Sequence, residues 1–168
     1  FETACCHGPA GISWHLMVIE GPEAGIREAE KAAAHFPSAH RMVEALLSDE
    51  RMSIVGDAFI EGPGGSRIEH RSGMSRAQIG HATRNKSGAM PIPFEHRHHG
   101  LDLVIESTMG PNGITLETDA QLSLTIGVDS EEAVIKTSFT SQAGSTRLIG
   151  LTRGTGPGKL RAAFLSSA

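Results

Sequence analysis

The sequence is poor in aromatic residues and lacks any long apolar run. Its 168 residues include six Phe, one Trp and no Tyr, so that aromatic side chains make up 4% of the chain. Exposed aromatic rings are the platforms on which nucleic-acid bases and sugars stack, so their scarcity argues against those ligands. No apolar run approaches the roughly 18 residues that a membrane-spanning helix requires. We therefore expect no direct membrane span in this chain.

Cysteine is also rare, and the two cysteines, Cys5 and Cys6, are adjacent. Neighbouring cysteines seldom pair with each other, because the ring that closes is strained. Two cysteines alone also supply only half of a zinc site. We interpret them as thiols in a mobile end that covers residues 1–11. The alternative is an intermolecular disulfide in an oxidising compartment.

No basic block is present, and the chain carries 15 basic and 19 acidic residues, a net charge of −4. Nucleic-acid binding needs a concentrated positive patch, so no nucleic-acid partner is expected.

A length of 168 residues is that of one domain with a sizeable core, and we predict a single domain over 1–168. Because the chain opens on Phe1 rather than Met, we interpret it as a trimmed or mature product that has lost a targeting segment.

The most informative pattern present is the stretch from Leu101 to Ile126. Apolar residues alternate with polar ones on both sides of Gly110-Pro111-Asn112-Gly113, which predicts a tight turn between two strands. The alternating apolar positions are Leu101, Leu103, Ile105, Ile114, Leu116, Ala120, Leu122, Leu124 and Ile126. This pattern is typical of a sheet with one buried and one wet face. The absence of catalytic residue types at the turn favours a role in assembly or binding over a role in catalysis.

The N-terminal third predicts one strand and two helices. Residues 12–19 favour a strand, and Pro22 suits the start of a helix over 23–36. Pro37 ends that helix, and Ser38 is a plausible N-cap for a second helix that runs to about residue 47. The apolar positions at helical spacing are Ile26, Ala29, Ala33 and Phe36 in the first helix and Met42, Val43, Leu46 and Leu47 in the second.

Further strands are predicted over 52–60, 66–73, 133–139, 145–151 and 160–165. Residues 71–95 lack periodicity and are interpreted as a long irregular loop. The fold class is therefore predicted as α+β, with an N-terminal strand and two helices packed on a mainly antiparallel β-sheet. An immunoglobulin-like or pilin-like β-sandwich is the alternative.

The densest chemical cluster is Glu95-His96-Arg97-His98-His99. On a strand, His96 and His98 would project from one face, which makes them weak candidates for a shared metal ion. No further ligand lies nearby in the sequence, and the HExxH pattern is absent. The favoured interpretation is a polar strand entrance without metal or cofactor. A metal-dependent enzyme centred on His96, His98 and His99 is the least favoured hypothesis.

Two other enzyme motifs are incomplete. The segment Gly154 to Lys159 resembles a phosphate loop, but Leu160 follows the lysine where a magnesium-binding Ser or Thr is required. No serine lies in a Gly-x-Ser-x-Gly elbow. We therefore predict that the chain is not an enzyme and that it has no catalytic residues.

The segments PFEHRHHGLDLVIESTMGPNGITLETDAQLSL, SQAGSTRLIGL and KLRAAFL resemble the β core of secretin-type proteins of type II secretion and type IV pilus systems. In that family a strand opens after a glycine, as at His99-Gly100-Leu101, and a later strand resembles Gly144 to Gly150. Secretins also insert a long amphipathic hairpin through the outer membrane. Residues 71–95 occupy its approximate place but are too polar to face lipid. The resemblance therefore implies a soluble, secretin-like module.

This resemblance implies a non-enzymatic envelope protein that takes part in the assembly of a type IV pilus or type II secretion apparatus. Its expected partners are protein components of that apparatus and further copies of itself, and its expected location is the periplasm, outer membrane or cell surface of a Gram-negative-type envelope. The expected contact surfaces are the edge strands around 133–151 and the hairpin at 101–126. A secreted adhesin or ligand-binding β module, such as a pilin-like domain, is the alternative.

Overall fold

The computed structural model describes residues 11–36, 38–46, 50–79, 94–108, 117–128, 131–142 and 144–167. These residues hold two helices and eight strands. In chain order the elements are β1 (Gly11–Pro22), α1 (Glu23–Ala33), α2 (Ala39–Leu46), β2 (Ser53–Pro63), β3 (Arg67–Ile79), β4 (Phe94–Thr108), β5 (Glu117–Val128), β6 (Glu131–Gln142), β7 (Ser145–Arg153) and β8 (Lys159–Ser167).

The strands form two four-stranded sheets, and every strand pair is antiparallel. Sheet A has the order β2-β1-β8-β7, and sheet B has the order β3-β4-β5-β6. Sheet B is a simple meander, because each strand pairs with the next one along the chain. Sheet A joins the two ends of the chain, since Trp14 of β1 pairs with Ser167 of β8.

The main core lies between the two sheets. Sheet A supplies Trp14, Leu16 and Val18 from β1, all 0% exposed, and sheet B supplies the alternating apolar residues of β4 and β5. Leu101, Leu103, Ile105, Leu124 and Ile126 are buried there as the period-2 pattern predicted. Alternation places one side of each strand in this core and the other side outside it.

A second core lies between the helices and the opposite face of sheet A. Met17 and Ile19 of β1 and Phe164 of β8 pack against Ile26 of α1 and Met42 of α2. β1 and β8 are therefore buried on both faces, which explains their nearly continuous apolar sequence. Ser38 is the N-cap of α2, because its Oγ accepts a hydrogen bond from the Arg41 N–H at 3.3 Å, as the sequence indicated.

The α+β class is confirmed, with one correction to the architecture. The strands divide between two facing sheets, as in the β-sandwich alternative, whereas the favoured prediction had one sheet. The irregular loop predicted over 71–95 is also wrong in part, because β3 extends to Ile79 and β4 begins at Phe94. This part of β3 lacks the apolar alternation that marks a half-buried strand. The predicted turn Gly110, Pro111, Asn112, Gly113 and the predicted mobile end up to residue 10 lie outside the described residues.

Candidate functional site

Four of the described strands lie at the edges of their sheets. β2 and β7 end sheet A, and β3 and β6 end sheet B. β2 contacts β3 on one side of the sandwich, and β6 contacts β7 on the other. The edge prediction for 133–151 therefore agrees with the strand order. The hairpin at 101–126 is different, because β4 and β5 are the two central strands of sheet B and offer no free edge.

The two edges of sheet A carry opposite charge. β2 contains Asp57 and Glu61 and neither Lys nor Arg, whereas β7 contains Arg147 and Arg153 and neither Asp nor Glu. All four residues are exposed. Charged side chains on an edge strand discourage indiscriminate pairing, while opposite signs on two edges favour pairing between them.

β2 also exposes an aromatic side chain on the face of sheet A that the helices cover elsewhere. The helices pack on β1, β7 and β8, and Phe59 of β2 remains 59% exposed. Its ring meets the His15 ring edge-on, with centroids 6.0 Å apart. His15 Nε2 lies 2.6 Å from Asp57 Oδ1, and the His15 ring stacks on His40 of α2 at 6.0 Å. These contacts fix the position of Phe59 beside the acidic edge.

On the opposite side of the sandwich, Arg147 of β7 links the two sheets. Its guanidinium donates a hydrogen bond to the Thr140 carbonyl and lies 5.3 Å from the centre of the Phe139 ring in β6. Phe139 in turn meets Trp14 edge-on, with centroids 6.1 Å apart. Arg147 therefore ties the edge of sheet B to the edge of sheet A and leaves Arg153 as the other cation of β7.

A buried ion pair lies at one end of the inter-sheet space. Glu20 of β1 is 5% exposed and Arg161 of β8 is 1% exposed, and the Arg161 Nε donates to Glu20 Oε2 at 2.8 Å. Thr155, in the turn between β7 and β8, donates its N–H to Oε2 at 3.0 Å and its hydroxyl to Oε1 at 2.5 Å. Lys159 Nζ lies 3.9 Å from Oε1. The cluster fastens the glycine-rich turn at 154–158 onto the sheet.

These contacts determine the protonation state of Glu20. Burial raises the pKa of its carboxyl, but the hydrogen bonds from Thr155 and Arg161, together with the charge of Arg161, hold the pKa below its ordinary value of 4.5. Both carboxylate oxygens accept hydrogen bonds, so the group serves as an ion-pair acceptor rather than as a free base. This pair has no local sequence signal, apart from two charges in otherwise apolar strands.

An open cleft of about 410 Å³ adjoins this cluster beside Gly100 and Gly127 of sheet B. Glu20, Ser53 and Thr155 line it from sheet A, and His99, Gly100 and Gly127 line it from sheet B. The buried His99 Nε2 has no hydrogen-bond partner among the described residues. The side chains of His96 and His98 lie outside the described part of the chain. Among the residues that the structure does describe, no group of three or more His, Cys, Asp or Glu could hold a metal ion.

No protein-family model and no curated protein matches the sequence. Among solved structures, the chain is similar to the secretin domain β-barrel of InvG from the Salmonella SPI-1 injectisome, with 9% identity over 94% of this chain and 62% of that chain, and a TM-score of 0.50. A near-atomic cryo-EM structure of the Salmonella SPI-1 type III secretion injectisome secretin InvG has 10% identity over 94% of this chain and 63% of that chain, with a TM-score of 0.52. The chain thus spans a little under two thirds of the length of these structures.

The fold that the sequence resemblance implied is therefore present. At sequence identities of 9 and 10%, the similarity to these structures concerns the fold and not the activity. None of the helices in the described ranges has the length and apolar character needed to cross a bilayer. With two four-stranded antiparallel sheets that match InvG over 94% of the chain, this protein has the fold of a secretin-like module.

Proposed function

We propose that this chain is a non-enzymatic structural component of a secretion or pilus apparatus in a Gram-negative-type envelope, and that it works by assembling with further copies of itself and with other components of that apparatus. The fold supports this proposal, since the similar structures are those of an injectisome secretin. The sequence resemblance points to the type II secretion and type IV pilus branches of the same family. The compartment that we propose on this basis is the periplasm or the outer membrane.

The observation that carries the proposal is the pair of open sheets. A strand edge presents unpaired N–H and C=O groups, and the pairing of such edges between chains is a common mode of association. Here the two sheets place their edges side by side, β2 beside β3 and β6 beside β7. Each side of the molecule therefore presents two edges that a second chain can extend.

A structural role also fits the chemistry of the most buried polar cluster. Glu20 is a buried carboxylate, and its two oxygens accept hydrogen bonds from Thr155 and Arg161. A general base needs a lone pair that can reach a substrate proton. Glu20 instead stabilises the turn between β7 and β8, which supports assembly rather than catalysis.

Self-association of the purified chain tests the proposal. We expect mass photometry and sedimentation velocity to show species larger than the monomer, and negative-stain electron microscopy to show closed rings or arcs. The charge reversal Glu28→Lys, at an exposed position of α1, serves as a control that leaves all four edges unchanged. A protein that stays monomeric at its highest soluble concentration, and that captures no secretion component, would contradict the proposal. Binding of a glycan or host protein by such a monomer would favour the adhesin alternative.

A further inference from the structure

We propose that the helix-side face of β2 binds a basic segment of another protein of the apparatus, through an arginine that stacks on Phe59 between the carboxylates of Asp57 and Glu61. We call this surface the acidic ledge, and it consists of these three residues together with His40 and Glu44 of α2. The identity of the partner rests on the proposed function, whereas the chemistry of the ledge does not depend on it. The inference adds which surface binds the partner and which side chain the partner presents.

The three β2 residues of the acidic ledge share one face of sheet A. Asp57 is paired with Met17 of β1, whose side chain packs against the helices. Phe59 is paired with His15, and residues that are directly paired or two apart on a strand project to the same face, which places Glu61 there as well. Two residues of a strand span about 6.6 Å. A carboxylate therefore stands on each side of the Phe59 ring along β2.

The flank of α2 borders this face. α2 packs mainly on β1 and β8, and the ring of its His40 stacks on His15 with centroids 6.0 Å apart. His40 Nε2 lies 3.2 Å from Glu44 Oε1, and both side chains are exposed. Glu44 stands one helical turn from His40 on the same flank, so it brings a third carboxylate to the ledge. β2 itself contains neither Lys nor Arg.

The acidic ledge offers groups that can bind a ligand. Phe59 is 59% exposed, and its edge-on contact with His15 covers at most one face of the ring. Glu61 is exposed and has no hydrogen bond or ion pair with any described residue. Asp57 Oδ1 is paired with His15 Nε2, and the second oxygen of this half-exposed carboxylate remains for another donor. One ligand can therefore contact a ring face and two carboxylates at once.

A cation is the group that this combination recognises. The face of an aromatic ring attracts cations, and a guanidinium stacks on it while its planar fork donates to carboxylates. The chain itself contains such a contact, since the Arg147 guanidinium lies 5.3 Å from the centre of the Phe139 ring. An apolar partner would desolvate the flanking carboxylates without pairing them, and an acidic partner would be repelled. An arginine of the partner meets both demands of the ledge.

This arginine comes from another protein rather than from a second copy of the chain. The sequence has a net charge of −4 and no basic block, so two copies repel each other overall. Several arginines also bind carboxylate or carbonyl oxygens of their own chain already, namely Arg27, Arg67, Arg71, Arg147 and Arg161. A basic segment of a different protein supplies the cation without breaking any of these contacts.

A synthetic peptide tests the chemistry of the acidic ledge. The probe is an end-blocked pentapeptide of alternating serine and arginine, titrated into the isotope-labelled chain and followed by NMR. We expect amide shifts centred on residues 57–61 of β2 and on His40 and Glu44 of α2. A matched lysine peptide should bind about two- to fivefold more weakly, because an ammonium lacks the planar fork. A matched citrulline peptide, which is neutral, should bind about tenfold more weakly.

A variant of the aromatic ring tests its part in binding. Phe59→Ser should weaken the binding of the arginine peptide about threefold or more, because the cation loses the ring face. Val134→Ser is the matched control, since Val134 is also an exposed apolar residue but lies on sheet B, and it should leave the affinity unchanged. Circular dichroism checks that both variants are folded.

A double variant tests the carboxylates separately. Asp57→Asn with Glu61→Gln should weaken the binding of the arginine peptide about five- to tenfold, because two ion pairs are lost. Glu28→Gln with Glu132→Gln removes two exposed acidic charges outside the ledge and serves as the control of equal net charge. That control should bind the peptide within about twofold of the original chain.

The outcomes separate this inference from the proposed function. Equal binding of the arginine and citrulline peptides, or unchanged binding in both ledge variants, would overturn the inference, and oligomers of the chain would still support the proposed function. Loss of self-association in Phe59→Ser, without peptide binding to the original chain, would assign the ledge to a second copy and would also overturn the inference. Peptide binding that the ledge variants weaken would establish the cation site. If that same chain neither self-associates nor captures a secretion component, the proposed function and the identity of the partner are overturned.

Discussion

Gly73 of β3 and Gly100 of β4 face each other across sheet B, and neither has room for a side chain. A Cβ on Gly73 would lie 1.9 Å from the His99 carbonyl oxygen, and a Cβ on Gly100 would lie 2.0 Å from that of Ser72. Both have positive φ angles, +123° and +139°. Gly127 of β5 pairs with Gly100, so three glycines form a row across sheet B.

Alanine at either position should destabilise the fold strongly. Gly100→Ala combines a backbone conformation that side chains disfavour with overlap against the backbone of β3, so we expect a loss of more than about 3 kcal/mol in the free energy of unfolding. Gly144→Ala is the matched control, since Gly144 also has a positive φ of +73° but nothing lies within 4 Å of the added Cβ. That variant should lose about 1 kcal/mol. Urea denaturation measures both, and equal losses would contradict the overlap.

The Glu20–Arg161 pair should show the energetics of a buried charge. Arg161→Met removes the buried cation and leaves the carboxylate of Glu20 with the hydrogen bonds from Thr155 and with Lys159 at 3.9 Å, which should cost about 3 kcal/mol of stability. The double variant Glu20→Leu with Arg161→Met removes both charges and should be more stable than Arg161→Met alone. Arg71→Met, which breaks the exposed pair with Asp102, should change stability by about 1 kcal/mol or less. Additive losses in the double variant would show that the two groups are not coupled.

Glu20 should also make stability depend on pH in the acid range. Its pKa is lower in the folded chain than the ordinary value of 4.5, so the unfolded chain takes up the proton first as the pH falls. The contribution of Glu20 is therefore complete above pH 4.5 and is lost as the pH falls through the folded pKa. The difference in unfolding free energy between the original chain and Glu20→Gln should shrink steadily over that acid range. A difference that does not change with pH would contradict this assignment.

Ser166 should contribute to the docking of α2. Its Oγ, in a residue that is 5% exposed, accepts a hydrogen bond from the buried Ala39 N–H at the start of α2 at 3.2 Å. Ser166→Ala leaves that donor without this acceptor and should cost about 1–2 kcal/mol. Ser166→Thr keeps a hydroxyl at the same position. It tests whether the stability of this site depends on the hydrogen-bond acceptor or on the space available for the side chain. Thermal unfolding that is unchanged in Ser166→Ala would argue against the bond.

Local patterns predicted the parts of this fold that depend on local periodicity. The period-2 alternation identified Leu101, Leu103, Leu124 and Ile126 as core residues, and all four are at most 2% exposed. The helical spacing identified Ile26 in the same way. In each case, the side of the element that faces the core is set by the geometry of a single strand or helix.

Contacts between segments that are far apart in the sequence were harder to predict. Alternation shows that a strand has a buried face, but it does not show which strand supplies the neighbouring backbone, so two facing sheets were predicted only in the β-sandwich alternative. Glu20 and Arg161 are 141 residues apart, and only their placement within apolar strands hinted at a buried pair. The polar end of β3 was missed for a related reason, because hydrogen bonds to β4 hold it in the sheet without apolar alternation.

The pairing of β1 with β8 has a consequence for the order of folding. Sheet B forms by pairing of strands that follow one another in the sequence. Sheet A, in contrast, cannot be completed until residues near 14 and 167 meet. Long loops close slowly, so local hairpins are expected to form ahead of such a contact. In pulsed hydrogen exchange during refolding, amides of β4 and β5 should gain protection early, and those of β1 and β8 should gain it last. A chain that folds in this order presents the edges of sheet B before those of sheet A.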